Sequence, residues 1–564
     1  MNQHFKYTLL VAAILPAVAV FTGDAMAQAQ PPGIGEALRQ LPPPPATRPE
    51  PALPKLGTAA AEPVLQRRAG AQIAVKKVVV EGNAAIDSSQ LQALVRDGEG
   101  RSLTLADIDA LARKITQHYR SQGYFVARAY LPAQEVKDGI VTIRVVEGRY
   151  GKFVLQNNSL VRDKTLLGLL DNAGQAGVVS VRTLERAMLN INDTPGVVIT
   201  RADVMPGEQV GSSDFVVTTV AGPRANGYAV ADNYGSEYTG KNRVAGGVDI
   251  NSPFGVGDKL SASGLLSEGS YLKNYRLAYS SLLADNGLRG EVAVSRTDYQ
   301  LVGTYAALDA VGTAESVEAT LSYPFIRTQA YTLEGSLNAA HRKLRDELRS
   351  TDTTTPKDAD VVTASLASRS EDALWGMPAR TTSQVAITFG HLDIREAGAR
   401  AQDALGPDTQ GRYAKLNLSV SRSTQLHRNW TLVTGLRLQH ALLGKNLDGS
   451  EDMSISGTSG VKAYPSGELA AENAALLDVA VEYAVPLTGP VRVKLTVFAD
   501  AGRAGMQNPV ANAASRTLSD VGIGASLGYS RYFATLQIAR RTSGAPTSES
   551  TPENRALLQV GTSF

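Results

Sequence analysis

From Gly222 to the C-terminus the chain runs in stretches of ~10 residues that alternate apolar and polar side chains between turn residues, with almost no helical periodicity. Val491, Val493, Leu495, Val497 and Ala499 fall on one side of such a stretch, and Arg492, Lys494, Thr496, Phe498 and Asp500 on the other. Tyr532, Ala534, Leu536 and Ile538 repeat the pattern, as do Leu477, Val479, Val481 and Tyr483 opposite Asp478, Ala480 and Glu482. Because successive side chains of a strand point to opposite faces, each stretch has one apolar and one charged band. A lipid-facing barrel with a wet lumen requires that combination. About sixteen such stretches can be counted, an even number of the kind bacterial single-chain barrels carry. A soluble propeller is the all-β alternative, but no blade-length repeat appears and the charges alternate instead of clustering in loops.

The N-terminus agrees with export. Lys6 supplies positive charge, Leu9 to Phe21 is a short apolar run, and Ala25-Met26-Ala27 is a small-x-small cleavage pattern, so residues 1–27 read as a signal peptide. The run falls short of the ~20 residues that span a bilayer, and no later segment offers a spanning helix. An exported chain of this kind enters a membrane only as a closed barrel, the other structure that pairs every backbone polar group within lipid. Residues 28–72 form a Pro/Ala-rich linker that includes Pro42 to Pro45. Within it Ile34, Leu38 and Leu41 share one helical face, so a short helix over Ile34 to Leu41 and a wholly disordered linker both remain open.

Between linker and barrel lie two small α+β units, residues 73–148 and 149–222, with the barrel taking 223–564. The first reads as a strand beginning Val75-Lys76-Lys77-Val78-Val79-Val80, two helices and two strands. Ile108, Leu111, Ile115 and Tyr119 recur at helical spacing, and Gly123 follows where a C-terminal cap belongs. The second is a looser copy from about Phe153 to Val220, with helices near Lys164 to Leu170 and Val181 to Ile191. The fold class is therefore mainly β: a 16-stranded transmembrane barrel preceded by two small α+β domains.

Three groups of residues carry a resemblance to a known family. The first is Gln117-His118-Tyr119-Arg120-Ser121-Gln122-Gly123-Tyr124 with Ala129-Tyr130-Leu131-Pro132-Ala133-Gln134 and Val145-Val146-Glu147-Gly148. The second is Leu189 to Gly211, with Pro195-Gly196 and Met205-Pro206-Gly207. The third is Val461-Lys462-Ala463-Tyr464-Pro465-Ser466-Gly467-Glu468, between the stretches counted as eleventh and twelfth, together with Phe498-Ala499-Asp500-Ala501-Gly502. They resemble the two POTRA domains, the sixth-loop motif and the Phe-x-Asp-x-Gly motif of the two-partner secretion transporters, the hemolysin secretion and activation type of outer-membrane protein. The resemblance implies that the sixth external loop folds into the lumen and that the basic residue of Val461, Lys462, Ala463 and Tyr464 meets Asp500, with Phe498 and Gly502 around it. Lys462 stands where that family usually has arginine. Lysine keeps the charge but cannot make a planar two-point contact with a carboxylate, which implies a weaker or more mobile latch.

The resemblance further implies an outer-membrane transporter that takes an exported partner protein, of adhesin or hemolysin type, from the periplasm and passes it unfolded to the cell surface. Its surroundings would be the outer-membrane lipid bilayer and, during biogenesis, the barrel-assembly machinery, for which the terminal Phe564 resembles an assembly signal. A barrel-assembly insertase is the alternative, although such proteins usually carry more POTRA units. An outer-membrane enzyme and a passive porin fit less well. The chain lacks cysteine, and its mature histidines have no ligand spacing. With no Gly-Lys-Ser loop and no Gly-x-Ser-x-Gly elbow, neither enzyme activity, nor metal, nor cofactor is expected. Gly522-Ile523-Gly524 reads as small-residue packing within a strand. With 56 basic against 54 acidic residues, nucleic acid is not an expected partner.

Overall fold

The computed structural model describes residues 32–41, 72–510, 515–549 and 551–564. The expected signal peptide and most of the linker lie outside the described residues.

In the first α+β domain the strand Ile140–Val146 is central, parallel to Lys77–Glu81 and antiparallel to Arg128–Tyr130. Val141, Ile143 and Val145 alternate inward and pack with Ile108, Leu111, Ile115 and Tyr119 of the helix Leu105–Ser121. That helix begins at a capping box, in which Asp107 N–H donates to the Thr104 hydroxyl at 3.3 Å and Thr104 N–H donates to the Asp107 carboxylate at 2.9 Å. Tyr119 donates to Glu147 at 2.8 Å, and the same carboxylate oxygen accepts the N–H groups of Ala84 and Ala85, both at 2.7 Å. Burial, reinforced by that carboxylate, pushes the Tyr119 phenol well above its ordinary pKa. The single strand read at Val75 to Val80 is in fact two, Ile73–Val75 and Lys77–Glu81, because Lys76 N–H turns aside to Gly139 O at 2.8 Å. Ile73–Val75 pairs instead with Arg101–Leu103, a three-residue strand too short to leave a periodic signal.

The second domain repeats the plan from Arg149 onward. Its central strand Ser212–Ala221 is parallel to Arg149–Asn158 and antiparallel to Val197–Pro206, with the helices Asp163–Gly174 and Val181–Asn192 closing the core. Its core of Leu166, Leu170, Leu184, Ile191 and Val217 is completed by an aromatic stack, Tyr150, Phe153 and Phe215, with ring centroids 5.3 to 5.7 Å apart. This domain is docked on the barrel rim. Buried Arg327 makes a two-point contact with Asp193 at 2.7 and 2.8 Å, and Arg162 N–H donates to Gly255 O at 2.9 Å.

The remaining chain closes a barrel of sixteen strands, from Ala225–Asp232 to Asn554–Ser563, each antiparallel to its neighbours. Leu495, Val497, Ile523, Leu536, Ile538, Leu558 and Val560 are exposed on the outer wall, whereas Phe498, Asp500 and Asp520 are buried on the inner one. Trp375, Trp430, Tyr483, Tyr529 and Tyr532 lie near the turns on the α+β-domain side, where an aromatic girdle belongs. The closing seam has only five register pairs, Gln559↔Asp232 to Ser563↔Tyr228. Phe564 lengthens it through two backbone hydrogen bonds with Gly227, at 2.8 and 2.9 Å.

The two faces predict opposite responses to charge. Val497→Arg should destabilise the barrel by ~2–4 kcal/mol, the cost of arginine near the bilayer midplane, whereas Thr496→Arg in the lumen should be nearly neutral. Urea unfolding of the refolded barrel in lipid vesicles would measure both, and equal midpoints would contradict the assignment of faces.

Candidate functional site

The first barrel strand leaves the side of the α+β domains, so every odd-to-even connection lies on the opposite side. Residues 443–472, joining the eleventh strand Trp430–Leu442 to the twelfth Asn473–Val485, are the sixth of these. This segment folds back into the lumen. A short ladder between Met453–Ser454 and Ala470–Ala471 stiffens its two arms, and Val461 N–H donates to Ile455 O at 2.8 Å to tighten the tip. Ile455, Val461, Ala463 and Tyr464 are fully buried against Leu476, Phe498 and Leu518 of the wall.

The expected site residues meet at that tip. Lys462 Nζ lies 2.6 Å from Asp500 Oδ2, with the Asp500 side chain 1% exposed, and sits 4.7 Å above the centre of the Phe498 ring. Ring and carboxylate thus hold the ammonium from two directions. Gly502 leaves room for the loop, since a Cβ there would come within 3.1 Å of Ile455. Gly522 makes room in the same way, because a Cβ there would overlap the Phe498 ring, and this glycine is the slot into which the ring fits. Phe564 is not part of this cluster. It lies half exposed on the outer wall beside Gly227.

Several contacts carry no sequence signature. Asp520, the register partner of Asp500 on the next strand Arg516–Tyr529, accepts Ala463 N–H at 2.6 Å. One ammonium therefore faces two buried carboxylates, and among the described residues neither Asp500 Oδ1 nor Asp520 Oδ1 has a hydrogen-bond partner. A guanidinium at 462 could offer donors to both, where lysine satisfies one. Arg555 donates to the carbonyl of Tyr464 at 2.5 Å, and the Tyr464 hydroxyl donates to Gly544 O at 2.7 Å. Glu468, wholly buried, pairs with Arg516 at 2.8 Å and accepts from Thr547 and Ser548.

The short helix Ile34–Arg39 also lies inside the barrel. Its first N–H, from Ile34, donates to Asp346 at 2.9 Å, and Tyr299 donates to the same oxygen at 2.6 Å. At its other end Arg243 donates to Gln40 O at 2.6 Å while its guanidinium is held by Asp232 at 2.9 Å. Ile34 and Ala37 pack on Tyr238, Leu265, Leu272 and Tyr299. The shared face of Ile34, Leu38 and Leu41 points to a helix but not to its place, because the residues that receive it, Tyr238, Asp346 and Gly449 among them, lie far away in sequence.

Comparison with known proteins places this geometry. Residues 73–148 match the family model of the ShlB-type POTRA domain, and residues 211–530 match that of the haemolysin secretion/activation protein ShlB/FhaC/HecB. The heme/hemopexin transporter protein HuxB of Haemophilus influenzae is 26% identical over 442 residues, covering 78% of this chain and 77% of the relative. The hemolysin transporter protein ShlB of Serratia marcescens is 27% identical over 210 residues, 36% of each chain. The solved structure of CdiB from Escherichia coli shares the fold, with a TM-score of 0.73 at 18% identity over 94% of this chain and 95% of that one.

Proposed function

The chain belongs to the haemolysin secretion/activation family of ShlB, FhaC and HecB and is an outer-membrane transporter; from that premise we propose how its own parts secrete one partner protein. Residues 73–148 and 149–222 are the periplasmic capture modules and residues 223–564 the pore. The second domain leaves the outer strands of its sheet, Arg149–Asn158 and Val197–Pro206, each ten residues long, with one open edge, interrupted on the first only by the bridge of Arg149 to Val178. An extended segment of the partner adds to such an edge through main-chain hydrogen bonds. Because Asp193 and Arg327 clamp this domain to the rim, a captured segment is presented beside the lumen entrance, which it then crosses unfolded. The barrel-assembly machinery inserts the chain into the outer-membrane bilayer, with Phe564 on the last strand as part of the signal.

The observation that carries this reading is the inward loop, whose tip is tied to the wall by Lys462 and Asp500. A pore that must pass a polypeptide needs a loop that can shift, and one cation against two carboxylates is a tie that can be remade. Lys462→Ala should lower the amount of partner in the culture medium severalfold, with heat-modifiable migration of the barrel unchanged. Lys462→Arg should retain or raise export, since the guanidinium reaches both Asp500 and Asp520. Undiminished export by the alanine variant would remove the tie from the mechanism.

A further inference from the structure

The helix Ile34–Arg39 and the inward loop meet at one turn, Asp448-Gly449-Ser450-Glu451, in the descending arm of the loop and away from its tip. Asp448 shapes the turn: it accepts the N–H of Ser450 at 3.0 Å and the Ser450 hydroxyl at 2.7 Å, and Glu451 N–H donates back to Asp448 O at 2.8 Å. Three cations on three strands pin the turn to the wall. Lys357 lies 2.6 Å from Asp448, Arg342 lies 2.6 Å from one oxygen of Glu451, and Lys415 lies 2.8 Å from the other. Lys415 and Gln439 also donate to the Glu451 carbonyl, at 2.7 and 3.0 Å. Both acids are at most 7% exposed and each has its full complement of positive charge. At the tip, by contrast, one lysine serves two carboxylates. The turn is therefore a hold on this loop separate from its tip.

The helix leans on the other side of the same turn. A Cβ on Gly35 would come 2.5 Å from the carbonyl carbon of Gly449, and the Arg39 guanidinium donates to Gly449 O. The helix is thus clamped between the wall at Asp346 and Arg243 and the loop at Gly449. We propose that the Asp448–Glu451 turn, fixed by Arg342, Lys357 and Lys415, is the element that keeps the helix in the lumen. Loop anchor and plug form one unit, and releasing either loosens the other by the same factor, as linkage requires.

Conductance of the full chain in planar lipid bilayers tests this without any partner protein, so the outcome is independent of the export mechanism proposed above. Deleting residues 32–41 sets the open level. Lys357→Met with Lys415→Met keeps side-chain bulk but leaves Asp448 without its cation and Glu451 with only Arg342, and it should raise the open fraction roughly tenfold or more toward that level. Gly35→Val, which leaves the anchor and the barrel wall untouched, should do the same by forcing the helix off the turn. Added to the helix deletion, the two lysine substitutions should change conductance no further. A correctly inserted Gly35→Val channel that stays as closed as the parent overturns the proposal, as does an additive effect of the anchor substitutions on the deletion.

Discussion

Asp500→Ala is expected to cut export of the partner roughly tenfold or more while the barrel still assembles. Removing one member of a buried ion pair destabilises by ~3–5 kcal/mol, because the other is left charged and unpaired. Here that partner is Lys462, whose side chain is 17% exposed, and the Phe498 ring beneath it replaces only part of the lost attraction. Each ~1.4 kcal/mol is a factor of ten in population, so the loop tip should leave its seat in most molecules. Asp520→Asn is the informative contrast. An asparagine oxygen still accepts Ala463 N–H and its amide can donate to the neighbouring Asp500 carboxylate, so export should change little. A double-mutant cycle separates the pair from its surroundings: Lys462→Ala should cost little more once Asp500 is already alanine. Partner secreted into the medium, normalised to folded barrel, is the quantity to measure. If Asp500→Ala exports normally, the loop does not work through this contact.

The barrel was legible because lipid enforces a rule on every strand. Leu495 and Val497 outward with Thr496 and Phe498 inward is a period-2 pattern that no soluble packing demands over so many segments. The tip of the inward loop was legible for a different reason: Lys462 and Asp500 are members of two short motifs that match a family, and alternation alone put Asp500 on the inner wall. Asp520 escaped both routes. It binds a backbone N–H, which any residue at 463 other than proline supplies, so no partner residue type marks it. Gly522 two positions on reads as small-residue packing, and the Phe498 ring resting where its Cβ would be gives that packing its cause. The turn Asp448–Glu451 was invisible because its three cations sit 91, 109 and 36 residues from their acids. Contacts across a barrel lumen have no local spacing from which to infer them. The same holds for Asp193 and Arg327, 134 residues apart, which fix the second domain to the rim.

Deletion of residues 74–220, with the N-terminal segment and barrel retained, should abolish secretion of the partner and leave other outer-membrane proteins at normal levels. The barrel should still form after the deletion, since its sixteen-strand ladder closes on itself and the second domain meets it along the periplasmic rim, at Gly255, Tyr323, Pro324 and Arg327 among others. What disappears is every free sheet edge on the periplasmic side, and with them the means of holding an unfolded chain at the lumen entrance. A narrower deletion of residues 74–148 preserves the edges of Arg149–Asn158 and Val197–Pro206 and the clamp at Asp193, so partial export would assign capture to the second domain, and complete loss would assign it to both. A general fall in outer-membrane barrels would instead mark the chain as an assembly insertase. Undisturbed secretion would mean that the lumen alone recognises its cargo and that the free edges of the two domains take no part in capture.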